Sequence, residues 1–383
     1  MNISFIFNCT TNTIGGAVQN SVNFILEIHR NRLDGDWYFL LSNEVYQQVK
    51  PILECDKYSV VPSPAKSLKS RSLLKRIAGK FPGALVYTSA GPAYVKFKNP
   101  HVMGISNPYL LGPEKISLSV FRTRFALFVR KLHTAYQLYY AKKADAYIFQ
   151  TESSKKRFLN GTVTRKNRAV VYNALSANFL KEIDSPSSCD SRLDNDAFKV
   201  LVPSAYFEHK CIEDLPEVFE LVNSMSKKYT CYLTITDEKF EYLKLLDQRF
   251  ADKNLFVNIG PFKHSEAVGL YKNCDLVLQP SVLEVFSTSY IEALSMKKAL
   301  IVPDLSFTRS ICENFAFYYT PRDASSCAEC ILTASNTILE LKNSTLKGDD
   351  FHSLLSKFGT QERRVKYILS LLKNYKENRA FYV

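Results

Sequence analysis

Short apolar runs alternate with helix-period segments along the whole of this 383-residue chain. In the first half the runs are Ile3 to Asn8, Tyr38 to Leu41, Ser59 to Val61, Leu85 to Tyr87, Val102 to Ile105, Ala146 to Phe149 and Ala169 to Tyr172. In the second they are Lys199 to Val202, Cys231 to Ile235, Leu255 to Ile259, Leu276 to Leu278, Leu300 to Val302 and Phe317 to Tyr319. Strand-length runs separated by amphipathic segments predict parallel sheets covered by helices, and each set is sufficient for one doubly wound α/β domain. Between the sets, Lys181 to Ala197 is polar and turn-rich and reads as a linker, which divides the chain into domains at 1–180 and 181–364. Gln361 to Asn378 repeats apolar positions at Val365, Ile368, Leu369, Leu371 and Leu372 and predicts an amphipathic helix at the end of the chain.

Composition agrees with two globular domains: 46% of residues are hydrophobic and 23% charged, and mean hydropathy is -0.14. No run approaches the roughly 18 apolar residues of a spanning helix. Met1 to Thr10 reads as a first strand and not as a signal peptide, and the nine cysteines suit a reducing cytosol, so a cytoplasmic location is expected. Cys327 and Cys330 form one C-x-x-C without a second pair or a nearby histidine, which reads as a helical coincidence and not a zinc site.

The net charge of +13 changes the picture more, because it favours an anionic partner. Residues 66–80 hold six basic residues and no acid, with Leu73, Leu74, Ile77, Ala78 and Phe81 on one helical face. Lys69, Lys75, Arg76 and Lys80 flank that face, so this segment reads equally as a contact with an anionic membrane surface, placing the protein peripherally on the inner face of a membrane, or as a core-facing helix with a solvated basic edge. Val120 to Lys143 mixes Arg122, Arg124, Arg130, Lys131, Lys142 and Lys143 with Phe121, Phe125, Phe128, Tyr136, Tyr139 and Tyr140. This mixture also suits an interfacial helix on an anionic leaflet, but a core-facing helix with a solvated basic edge is the favoured reading here. The basic residues follow no nucleic-acid reader module, so no nucleic-acid partner is expected.

Candidate chemistry concentrates in Gln279 to Met296, where Glu284 and Glu292 stand eight positions apart across a helix start. The strand-like Cys274 to Leu278 is broken by Pro280-Ser281, and Ser287, Thr288 and Ser289 can cap a helix through Tyr290 to Lys298. First-turn amides and the positive dipole end suit a diphosphate, and Glu292 lies about one turn in, within reach of ribose hydroxyls. Elsewhere Gly15 and Gly16 stand at the first strand-to-helix turn, where glycine lets backbone approach a ligand. Lys199 to Lys210 runs from a strand into a loop ending in His209-Lys210, and Gly260-Pro261 follows the run Leu255 to Ile259. His101 to Leu111 leads from a strand into a loop carrying Asn107, a side chain able to hydrogen-bond a sugar hydroxyl.

The Gln279 to Met296 segment resembles the Glu-x7-Glu signature of retaining glycosyltransferases of the GT-B fold, specifically family 4 (glycosyl transferases group 1). The resemblance implies two Rossmann-like domains facing across a cleft: an acceptor-binding domain over 1–180, with a C-terminal helix at about 365–383 packing back on it, and a nucleotide-sugar-binding domain over 181–364. It assigns the donor sugar to Glu284, the ribose to Glu292, and sugar and phosphate contacts to the backbone of Val285, Phe286, Ser287 and Thr288. Lys210 takes the role of the lysine that grips the donor diphosphate. Gly15 and Gly16 match the family's glycine turn at the donor cleft, and Gly260 its turn beside the base. The family's arginine five residues before the lysine is here Ala205. Where many relatives place a sugar-contacting histidine this chain offers Asn107, with His101 at the strand's beginning on the acceptor side.

The implied reaction transfers a sugar from a nucleotide-diphosphate donor, a UDP- or GDP-sugar, to an acceptor hydroxyl with retained anomeric configuration. Lys210 and the helix amides would stabilise the leaving phosphate, and Glu284 the sugar, with Asn107 in support. No metal ion and no cofactor is implied. The basic segment 66–80 favours a lipid-linked or growing surface polysaccharide as acceptor. Two alternatives stay open: a sugar-nucleotide epimerase or phosphorylase on the same fold, and a non-catalytic nucleotide-sugar binder or membrane scaffold.

Overall fold

The computed structural model describes residues 3–158, 167–183, 191–193, 196–225, 228–341 and 356–381. Residues 184–190 and 194–195 of the expected linker lie outside these. Seven parallel strands form one sheet: β1 (Phe5–Asn8), β2 (Trp37–Leu41), β3 (Tyr58–Val60), β4 (Leu85–Thr88), β5 (His101–Ile105), β6 (Ala146–Phe149) and β7 (Asn167–Val170). Six more form the second: β8 (Phe198–Val202), β9 (Tyr229–Leu233), β10 (Phe256–Asn258), β11 (Leu276–Leu278), β12 (Ala299–Pro303) and β13 (Phe317–Tyr319). Each expected run coincides with or overlaps one of these strands.

Strand order is β3-β2-β1-β4-β5-β6-β7 in the first sheet and β10-β9-β8-β11-β12-β13 in the second. Both are doubly wound, and the order reverses between β1 and β4 and between β8 and β11. At such a reversal the loops leaving neighbouring strands part to opposite faces, which opens a crevice at the carboxyl ends. The strands are apolar nearly throughout because helices cover both faces: every residue of β1, β4, β6, β9 and β11 is buried.

The chain divides into two compact units, Met1–Pro113 with Phe121–Asn173 and Thr360–Val383, and Glu114–Val120 with Ala174–Gly359. Phe7, Phe24, Trp37 and Tyr87 lie at the centre of the first core. The helix Gln361–Asn378, capped by the Thr360 hydroxyl on the Arg363 amide, adds Val365, Ile368, Leu369, Leu371, Leu372 and Tyr375 to that core. Each of its fully buried aliphatic side chains contributes about 1.5–3 kcal/mol. The second core gathers Val200, Val202, Phe219, Leu233, Phe256, Leu278 and Ile301.

The two basic segments differ in what they bury. In the helix Leu68–Ala78 the apolar face is turned inward, with Leu74, Ile77 and Ala78 buried. Leu68 stays exposed beside the basic residues of that segment. The helix Arg124–Ala141, expected to face the core, buries only Gln137 and Ala141 and exposes its aromatic residues. Among the described residues no helix is long and apolar enough to cross a membrane.

Candidate functional site

In the second unit the loops leaving β8 and β11, neighbours at the strand-order reversal, bring Lys210 and Glu284 together. The chain leaves β8 at Val202, passes Ser204, whose amide donates to the Thr234 hydroxyl, and forms a short turn over Glu208–Lys210. The loop after β11 is tied to that turn: the Val282 amide donates to the His209 carbonyl at 2.9 Å, and the Ser281 hydroxyl lies 3.2 Å from the same oxygen. These bonds set the ion pair of Lys210 Nζ with Glu284 Oε1, whose side chains are 14% and 16% exposed. Ser281 also reaches Glu284 Oε1, at 3.1 Å. Burial holds the adjacent His209 below its ordinary pKa, against the pull of Glu284 and with help from Lys210.

The helix Thr288–Ser295 begins four residues after Glu284. Its N-cap, Ser287, has extended backbone, but the side chain caps no amide and shares a 2.7 Å hydrogen bond with the Ser289 hydroxyl instead. Gln279 Nε2 donates to that Ser289 oxygen at 2.8 Å and to the Pro203 carbonyl at 3.1 Å, joining the two loops a second time. Capping of the first turn by serine or threonine was expected; instead the Ser287 and Ser289 hydroxyls bond one another, and Ser287 leaves the first-turn amides without its cap. Val285 and Phe286 are buried, Phe286 packing edge-on against Phe358 at 5.7 Å.

Glu292 lies within this helix and is 6% exposed. Burial raises its carboxyl pKa to about 7, against the smaller opposing effect of a 3.0 Å hydrogen bond donated by Tyr271. Burial and the Glu292 charge together push the Tyr271 phenol well above its ordinary value. Gly260, at the end of β10, has φ +74°, the left-handed region that disfavours other residues.

The first unit holds the remaining candidates. Gly15 and Gly16 open the helix Gly15–Arg30 after β1; Gly15 has φ +59°, the left-handed region that favours glycine, and a Cβ at either would meet nothing within 4 Å. Asn107 caps the short helix Pro108–Leu111: its Oδ1 accepts from the Tyr109 amide and its Nδ2 donates to Gln137, both at 3.0 Å. His101 is 1% exposed within β5, its Nε2 lies 2.8 Å from the Thr88 hydroxyl, and Phe97 packs edge-on to its ring.

Sequence reasoning missed the residues that hold these groups in place. Ser281 and Gln279 lie inside the segment singled out and could have been found there; Tyr271, 21 positions from Glu292, carried no local signal. Among the described residues no group of three or more His, Cys, Asp or Glu side chains is arranged to hold a metal ion.

Residues 187–343 match the family of glycosyl transferases group 1. No curated protein matches the chain significantly. Among solved structures, a glycosyltransferase from Rickettsia africae superposes with TM-score 0.67 at 15% identity, covering 99% of this chain and 100% of that one. HepE of Anabaena, solved with UDP and glucose, gives TM-score 0.67 at 16% identity, covering 97% and 100%. Sucrose-phosphate synthase of Thermosynechococcus elongatus gives 0.59 at 14%, covering 95% and 94%. At these identities the likeness is one of fold.

Proposed function

We propose that this chain, a glycosyltransferase of GT-B fold carrying a glycosyl transferases group 1 domain, moves a sugar from a nucleotide-diphosphate donor to an acceptor hydroxyl with retention of anomeric configuration. The observation that carries the reading is the convergence of Lys210, Glu284 and the mouth of the Thr288–Ser295 helix at the β8/β11 reversal. The UDP and glucose held by the HepE structure make a UDP-sugar the first donor to try, with GDP-sugars second.

Breaking the bond between the anomeric carbon and the phosphate oxygen leaves negative charge on the diphosphate and positive charge on the sugar. Lys210 transfers from Glu284 to the diphosphate when the donor enters, and the first-turn amides of the helix share that charge. Fixed dipoles and a fixed cation stabilise it without reorganising at the moment of reaction. Glu284, released from the lysine, faces the sugar and stabilises its developing cation. Glu292 accepts hydrogen bonds from the ribose, and the backbone at Gly260 leaves room for the base. In the first unit Gly15 and Gly16 are assigned to the donor and Asn107 to the transferring sugar or the acceptor, the acceptor being a lipid-linked or growing surface polysaccharide. With alanine at position 205, the diphosphate depends on Lys210 and the helix amides.

Incubating the protein with UDP- and GDP-sugars and an acceptor mixture, and reading nucleotide release and product anomers by NMR, tests this. Release abolished by Lys210→Ala and Glu284→Ala supports the reading; donor binding without turnover under any acceptor supports a non-catalytic binder instead.

A further inference from the structure

The helix Arg124–Ala141 carries a row of large apolar side chains that nothing in its own unit covers. Phe125, Phe128, Val129, Leu132, Tyr136 and Tyr139 are all exposed, Phe125 by 74% and Leu132 by 57%. They follow the spacing i, i+3, i+4, i+7, i+11 and i+14, which at 3.6 residues per turn is a single stripe about 100° wide. Arg124, Lys131 and Lys142 fall together along one edge of it, and Lys143 closes its end with its ammonium 4.2 Å above the Tyr139 ring. From Lys115 to Ala144 the chain holds seven Lys and Arg residues and no acid.

The exposure is built in and not a loosely attached helix. Thr123 caps the N-terminus on the Ala126 amide, and on the inner side Gln137 bridges Asn107 and the Tyr94 hydroxyl, each at 3.0 Å. Arg71 fixes the C-terminal half: it donates to Tyr140 at 3.0 Å and to the Pro64 and Ala65 carbonyls, and its guanidinium lies 5.1–5.7 Å from the Tyr94, Tyr136 and Tyr140 ring centres. The anchors hold the inner face, so the aromatic stripe points outward in a fixed orientation.

We propose that this helix is a docking surface for an anionic lipid bilayer, lying in the plane of the interface with the aromatic stripe among the headgroups. Charge decides the occupant. A second copy meeting the stripe across a two-fold axis would set two acid-free basic edges against each other, whereas an anionic leaflet neutralises the same edge. Tyrosines with an apolar body and a polar tip are suited to that boundary, as are lysines whose stems lie along it. The docking does not rest on the sugar-transfer reading. If both hold, Gln137 links the docked helix directly to the Asn107 loop, where a lipid-borne acceptor would arrive.

Sedimentation with extruded vesicles, either pure phosphatidylcholine or equal parts phosphatidylcholine and phosphatidylglycerol, tests the surface without reference to activity. The intact chain is expected to pellet with the anionic vesicles only, and salt should release it. Arg124→Gln, Lys131→Gln, Lys142→Gln and Lys143→Gln together, or Phe128→Ser with Leu132→Ser, should weaken binding by more than about tenfold with an unchanged melting temperature. Replacing Lys69, Lys75, Arg76 and Lys80 by glutamine should cost much less. Leu132→Trp should show blue-shifted emission on anionic vesicles, which reads contact at this face itself. Absence of binding to anionic vesicles, equal binding by the stripe variants, an unshifted emission from the Leu132→Trp variant, or conversion of a dimer to a monomer by the stripe variants would each overturn the proposal.

Discussion

Lys210 and Glu284, 74 positions apart in sequence, form an ion pair between the loops that leave β8 and β11. The two strands are neighbours at the point where the order of the second sheet reverses. On the proposed function, this lysine, held by a carboxylate beside a helix start that Ser287 does not cap, is a cation that a stronger anion would draw from its partner. A diphosphate carries more charge than a carboxylate and can use the helix amides as well.

Removing either partner should therefore cost turnover more than stability. Lys210→Ala and Glu284→Ala are each expected to lower donor turnover by about a hundredfold or more. Melting temperature should shift only a few degrees, since both side chains keep some contact with solvent. Nucleotide-release kinetics beside thermal melts check the contrast; equal activity in either variant would remove that residue from the site.

Glu292 gives a pH dependence whose sign follows from burial. Its carboxyl titrates at about 7 in the folded chain against an ordinary 4.5. Between these values the native state keeps a proton that the unfolded chain has released, so stability falls as pH rises through the window. Above it the full cost, on the order of 3 kcal/mol, is present. Glu292→Gln should thus melt higher than the parent at about pH 8 and converge with it near the ordinary carboxylate range. The same variant should bind nucleotide more weakly, because an amide accepts from ribose less strongly than a carboxylate.

Tyr271→Phe isolates the one interaction that lowers the Glu292 pKa. Without the phenol the carboxyl titrates higher, and the pH midpoint of donor binding should move upward with it. The ring and its edge-on contact with Phe179 remain, so the stability loss should stay near about 1 kcal/mol. Binding titrations across pH follow the midpoint.

The parallel sheets were legible because strands buried on both faces must be apolar throughout, and runs such as Leu276 to Leu278 stand out against polar loops. The helix start between Glu284 and Glu292 was legible for a similar local reason, polar residues at fixed offsets, while the roles given to the two carboxylates came from the resemblance. What escaped was set by distant packing. Tyr271 meets Glu292 only once the helix before β11 is in place. His101 stands in sequence at the beginning of a strand, and only the packed sheet sets it against Thr88 and Phe97. The two basic segments could not be told apart because periodicity says that a helix has an apolar face and not whether anything covers it. In Leu68–Ala78 that face meets the core; in Arg124–Ala141 the inner contacts are made by Gln137, Ala141 and Tyr140, and the larger aromatic stripe is left outside.

The closing helix is expected to be indispensable to the first core. Leu372 is fully buried among residues of β1, β2 and the helix Gly15–Arg30. Leu372→Ala should destabilise by about 2–5 kcal/mol, visible as a lowered denaturant midpoint with unchanged slope. A loss under about 0.5 kcal/mol would mean that the helix is not part of that core.

The most direct measurement is a crystal structure of the chain with UDP, and with GDP if UDP does not bind. Diphosphate oxygens are expected within hydrogen-bonding distance of Lys210 Nζ and the first amides of the Thr288–Ser295 helix, with Glu292 on the ribose and the Lys210–Glu284 pair opened. A nucleotide bound elsewhere, or one bound here with Lys210 still on Glu284 and no contact to the helix mouth, would contradict it.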